Sequence, residues 1–182
     1  FVVVAIALVL FSLLLARNRN IDPLIILCMA TVFGILLDTV TGGYLQKYAV
    51  LSYDPMGGAR YYGIGNEYMG VLLGASIVGI SLFVQRLQNH TTFQYLLTGI
   101  IFISVLAVLG SPRWGSNFGG FTASLIAFIF TFLRLLRIRM SPRNILIAIG
   151  VVGLLCVGVF ILDYLRPAEL RSHFGQFAAS IH

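Results

Sequence analysis

The sequence predicts an all-α protein, a polytopic transmembrane helical bundle of about six spanning helices with a long outer loop between the second and the third. Three observations carry that prediction. First, 10% of the 182 residues are charged and 59% are hydrophobic, with a mean hydropathy of +0.97. A soluble domain carries about 25% charged residues because its surface faces water. Second, the apolar residues fall in continuous runs, each close to the roughly 20 residues that cross about 30 Å of hydrocarbon. In lipid, backbone polar groups must be satisfied within a helix or a closed barrel, and barrel strands would alternate apolar with polar. Third, the basic residues gather at the ends of the runs. The net charge of +6 therefore reads as membrane topology, and no nucleic-acid partner is expected.

The runs come in order. Residues 1–16 form a short one that begins at Phe1, with neither Met nor a basic leader before it, and the chain stops at Ser180-Ile181-His182. Residues 1–182 are thus expected to be a single transmembrane region cut from a longer protein, with the rest of that chain as a missing partner. The second run covers residues 21–40 and the third 67–85. In the third, Gly70 and Gly74 make a GxxxG step, with Ser81 continuing the small-residue stripe, and close helix packing is expected there. Residues 93–110, 118–136 and 145–165 form the fourth, fifth and sixth runs. Cys28 and Cys156 lie inside runs and read as small buried hydrophobes, not as a disulfide or a metal pair. No metal cluster or cofactor motif stands in the chain.

Alternating the spans sorts the charges. One side holds Arg17, Arg19, Arg86, Arg134, Arg137, Arg139 and Arg143, opposed by Asp22. The other holds Lys47, Arg60, Arg113, Arg166 and Arg171, with Asp38, Asp54, Glu67, Asp163 and Glu169 among them. The arginine-rich side is expected to be cytoplasmic. The outer face then receives the loop 41–66, rich in Gly and Tyr, and residues 166–182 as the start of a further outer loop or tail. Tyrosines suit that interface, where a ring sits in lipid while its hydroxyl stays wet. Asp38 falls near the outer end of the second span, where a carboxylate is either a helix-end polar group or a functional one.

Two outer segments carry candidate chemistry. In Arg60-Tyr-Tyr-Gly63-Ile-Gly65-Asn66-Glu67, Arg60 offers a planar donor fork for phosphate or carboxylate. Gly63 and Gly65 allow a sharp turn or close ligand approach, and Asn66 can cap a helix whose free amides favour an anion. In Ser111-Pro112-Arg113-Trp114-Gly115-Ser116-Asn117, a second arginine sits among glycines, Pro112 interrupts a helix, and Ser116 or Asn117 can start the next. Each segment can equally be a capped interfacial turn. Together, two arginines on one face could clamp a diphosphate. In the tail, His173 could serve as a general base, because its ordinary pKa lies near neutrality; a solvated histidine is the plainer alternative.

Arg60-x-x-Gly63-x-x-Asn66 before an apolar helix resembles the R-x-x-G-x-x-x-N-P-N element of bacterial O-antigen ligases and polymerases. Ser111-Pro112-Arg113-Trp114-Gly115 sits where those families have a Ser-Arg-Gly element. Here Asn66 runs into Glu67-Tyr68, and Pro112 and Trp114 interrupt the second element. The Arg-Tyr-Tyr-Gly-Ile-Gly-Asn stretch is also similar to that of multi-pass bacterial membrane proteins of no stated activity. The ligase resemblance implies transfer of a sugar chain from a polyprenyl-diphosphate carrier at the outer face of the bacterial inner membrane. Arg60, Gly63, Gly65, Asn66, Arg113 and Asn117 would then form the diphosphate site, and His173 the base. Two other readings stay open: a transporter or flippase-like protein for an anionic lipid or small anion, and an inactive membrane anchor or scaffold.

Overall fold

The computed structural model describes residues 22–49, 63–87, 92–139 and 141–165, apart from the side chains of 162 and 163. These residues are helical, with no strand among them. The long helices are α1 (Pro23–Val40), α2 (Asn66–Arg86), α3 (Thr92–Gly110), α4 (Phe118–Leu135) and α5 (Pro142–Tyr164). All five are long and apolar enough to cross a membrane, so the chain is a multi-pass membrane protein. The expected spans from the second to the sixth are found with ends shifted by a few residues at most. The expected first span, residues 1–16, lies outside the described residues.

Local chemistry sets the helix ends. Asp22 caps α1 by accepting from the Leu24 N–H at 3.0 Å, with Pro23 in the first turn, where its missing N–H costs nothing. At the far end of α1, the Gly43 N–H reaches back to the Asp38 carbonyl and the Gly42 N–H to that of Thr39. This paired closure is the Schellman form, and it requires the left-handed backbone that Gly42 adopts at φ 112°.

Neighbouring helices run antiparallel. Cys28 and Met29, early in α1, meet Gly79, late in α2. Tyr95, early in α3, stands edge-on to Phe132, late in α4, and Thr122 in α4 faces Cys156 in α5. The starts of α2 and α4 therefore share one end with the end of α3. At mid-depth, the rings of Phe102 and Phe128 stack at 4.1 Å, and around them Leu72, Ile80, Val105, Leu109 and Leu125 close the core. Lipid tails are as apolar as these side chains, so dense packing and not water exclusion holds such a core together. Each of the first four helices buries 28–33% of its apolar window, while α5 buries 6%. Helix α5 is thus a peripheral span against α4, with Leu146, Ile149 and Leu154 facing outward.

One packing expectation is corrected. A side chain at Gly70 or Gly74 would meet nothing within 4 Å, so the GxxxG step makes no close crossing among the described residues. The close crossing is at Gly79, where a Cβ would run into Met29 and Cys28 of α1. The GxxxG spacing put two glycines on one stripe of α2, but α1 packs against the opposite face, which carries Gly79.

Candidate functional site

The end shared by the starts of α2 and α4 carries the two glycine-rich segments singled out from sequence, and they are bonded to each other. The chain leaves α3 at Gly110 and turns through Ser111-Pro-Arg-Trp114, whose Trp114 N–H donates to the Ser111 carbonyl at 3.2 Å. It then folds back over the helix it has left. The Gly115 N–H donates to Val108 O at 2.9 Å and the Asn117 N–H to Leu109 O at 3.0 Å. The last carbonyls of α3, which helix geometry leaves without partners, are satisfied by this return. It depends on Ser116 adopting φ 46°, and on Gly115, where any side chain would press into the α3 backbone.

The segment before α2 lies against this return. The Ile64 N–H donates to Gly115 O at 2.8 Å, and the Ile64 carbonyl accepts from Asn117 Nδ2 at 3.0 Å. The Ile64 side chain is fully buried in the core. Gly63 stands at φ 80°, and a Cβ there would collide with the carbonyl oxygen of Gly115. Glycine at 63 is thus required twice, by backbone conformation and by close approach.

Asn117 joins the segments. Its amide nitrogen donates to Ile64 O and, at 3.2 Å, to Asn66 Oδ1, while its own oxygen accepts from the Gly120 N–H at 2.7 Å as the N-cap of α4. The amide's two donors and one of its acceptor sites are engaged. The geometry gives Asn117 the role of a tie between loops, with little capacity left for a ligand. Asn66 differs from expectation as well. Gly65 occupies the N-cap of α2, Asn66 is the first helical residue, and its side chain accepts from Asn117 instead of capping its own helix. The N-cap glycine of α2 supplies no side-chain cap, and exposed Glu67 stands in the first turn.

Arg113 is exposed at the tip of the turn, with Trp114 next to it also exposed. The structure therefore brings Gly63, Gly65, Asn66 and Asn117 together and puts Arg113 on the adjoining turn. Arg60 and His173 lie outside the described residues.

Sequence reasoning missed a second polar cluster at this end. Asp38 is buried, and its carboxylate accepts from the Leu45 N–H at 2.8 Å and the Gln46 N–H at 3.0 Å, holding the one-turn 3-10 helix Gln46–Tyr48. Buried Gln46 donates in turn to the Thr39 hydroxyl at 3.2 Å. Of the two roles open to Asp38, the bonds assign that of a loop cap. Tyr44 and Tyr48 are exposed, and Lys47 sits over the Tyr44 ring at 5.1 Å. The signal was Asp38 ahead of Gly42-Gly43, a tight turn that returns the chain onto the helix end.

Metal sites need several nitrogen, sulfur or carboxylate ligands in one place, and the described residues hold no group of three His, Cys, Asp or Glu side chains so placed. Compared with protein-family models, curated proteins and solved structures, the chain matches none.

Proposed function

We propose that the chain belongs to a bacterial inner-membrane enzyme of glycan-ligase or polymerase type. In this reading it binds the diphosphate of a polyprenyl-linked glycan where α2, α3 and α4 meet at the outer face. The supporting observation is the bonded junction of the two segments, Ile64 N–H to Gly115 O and Asn117 to both Ile64 and Asn66. It holds Gly63, three residues after Arg60, against the turn that carries Arg113. An arginine on that turn, with a second three residues before Gly63 in sequence, suits a diphosphate, because each guanidinium offers two parallel donors. The uncapped amides of α2 add a favourable partial positive charge. Asn117 and Gly63 act in this scheme as positioning residues and Arg113 as the ligand contact, with His173 as the base that activates the acceptor sugar.

The test is Arg113→Ala and Arg113→Lys in the full-length protein, with binding of a polyprenyl-diphosphate-linked glycan and glycan transfer as readouts. A charge-assisted hydrogen bond contributes about 1.5–3 kcal/mol, so Arg113→Ala should weaken binding roughly 10- to 100-fold. Arg113→Lys should recover little, because a lysine cannot form the fork. Unchanged binding and lipid-linked glycan pools in both variants would sink the proposal. Loss of uptake into sealed vesicles without loss of transfer would indicate a transporter instead.

A further inference from the structure

The opposite end of the bundle carries the densest positive charge of the described residues. Arg86, Arg134, Arg137, Arg139 and Arg143 all lie at the ends or connections there, and between the last turns of α2 and α4 runs an open groove of about 430 Å³. Its lining changes along the helix axes. Along the helices, Ile77 and Phe130 stand nearest the bundle centre, Ser81 and Thr131 come next, and Gln85, Arg134 and Leu135 lie nearest the helix ends. Ser81 and Gln85 are one turn apart on α2, and Thr131 and Arg134 one turn apart on α4, so each pair shares a face. Thr131 spends its hydroxyl proton on the Ala127 carbonyl at 2.8 Å, which leaves Ser81, Gln85 and Arg134 as donors toward the groove.

A groove that is apolar toward the membrane centre, and ringed by neutral donors and an arginine at the membrane edge, has the polarity profile of a phospholipid. We propose that it binds an anionic phospholipid, with the phosphate at Arg134, donors from Gln85 and Ser81 to its oxygens, and an acyl chain along Phe130 and Ile77. The surrounding arginines raise the local concentration of anionic headgroups, and the groove selects one position among them. This site lies at the far end from the proposed diphosphate junction and does not depend on it.

The experiment is native mass spectrometry of the purified full-length protein with phosphatidylglycerol or with phosphatidylcholine, for wild type and four single variants. Arg134→Gln should weaken phosphatidylglycerol binding tenfold or more, and Arg139→Gln, off the groove, less than about threefold. Ser81→Leu fills the groove while keeping every arginine and should also cost about tenfold; Gln85→Leu, at the exposed rim, removes a donor at nearly constant volume, with less risk to folding, and should cost several-fold. Wild type should prefer phosphatidylglycerol by tenfold or more. Equal losses from Arg134→Gln and Arg139→Gln, or wild-type binding by both Ser81→Leu and Gln85→Leu, would reduce the effect to diffuse surface charge and overturn the proposal. Equal binding of phosphatidylcholine, or displacement of the lipid by millimolar inorganic phosphate, would overturn it as well.

Discussion

At the junction end of the bundle, segments more than fifty residues apart in sequence are bonded through main chain and the Asn117 amide; at the arginine end, the connection from α4 to α5 is closed by local bonds of its own. There the Arg137 N–H donates to Arg134 O and the Ile138 N–H to Leu133 O, a Schellman closure like that after α1. Asn144 Nδ2 donates to Arg139 O at 2.7 Å, and Ser141 caps the Asn144 N–H at 3.3 Å. Both ends satisfy their helix termini, and the junction in addition bonds two distant segments to one another. A binding constellation must be held to within about 0.5 Å, and cross-bonded backbone provides that tolerance. A turn with local bonds keeps its own shape but leaves its neighbours free, which suits a face where charge and a groove meet mobile lipid.

The comparison breaks most readily at Gly63. Gly63→Ala places a side chain in the left-handed region and against the Gly115 carbonyl, which together cost about 2–4 kcal/mol. Reversible unfolding in detergent should show that loss, and Gly115→Ala should match it within about 1 kcal/mol. Both losses below about 1 kcal/mol would mean that the two segments can separate freely. Next in size is Asn117. Asn117→Ala removes the α4 cap, worth about 0.5–2 kcal/mol, and one hydrogen bond to the Ile64 carbonyl, worth about 0.5–1.5 kcal/mol, so a loss of about 2 kcal/mol is expected. Asn117→Asp keeps the oxygen that caps Gly120 but has no donor for Ile64, and should lie between wild type and alanine. If aspartate is as stable as asparagine, the tie to Ile64 contributes nothing and Asn117 is only a cap.

Much of this was legible in the sequence because membrane crossing is a demand on length and composition, both of which a run of residues states directly. The ends of α2 to α5 follow from where the apolar runs stop, and Asn117 as the start of α4 follows from its side chain and the glycines after it. What was not legible depends on which distant segments meet. Gly70 and Gly74 carry the recognised spacing, yet Gly79 makes the close crossing because α1 lies on its side of α2. Asn66 has the chemistry of a cap, but Asn117 draws its side chain away and Gly65 takes the position. Ile64 looked like one apolar residue in a polar loop, and it is the anchor to which both loops are fastened. Spacing within one segment cannot show these pairings, because each depends on a partner more than ten residues away.

The smallest expected effect sharpens the comparison from the arginine end. Arg137 adopts φ 57° at the end of α4, a conformation that costs a non-glycine residue about 1–2 kcal/mol. Arg137→Gly relieves that strain, but gives up a cation at a helix C-terminus, worth about 0.3–1 kcal/mol, and adds chain entropy of about 0.5–1 kcal/mol to the unfolded state. These terms nearly cancel, so the stability of Arg137→Gly should stay within about 1 kcal/mol of wild type. At Gly63 the same left-handed backbone cannot accept even a methyl group, because the Gly115 carbonyl fills the space where the side chain would go. At Arg137 a full-length side chain fits, so the left-handed backbone there meets no clash of that kind. Arg137→Val tests this directly: its branched Cβ raises the left-handed cost, and it should lose about 1 kcal/mol relative to wild type. A loss from Arg137→Val as large as that from Gly63→Ala would mean that the arginine end is also fastened to a distant segment, and the contrast between the two ends would fail.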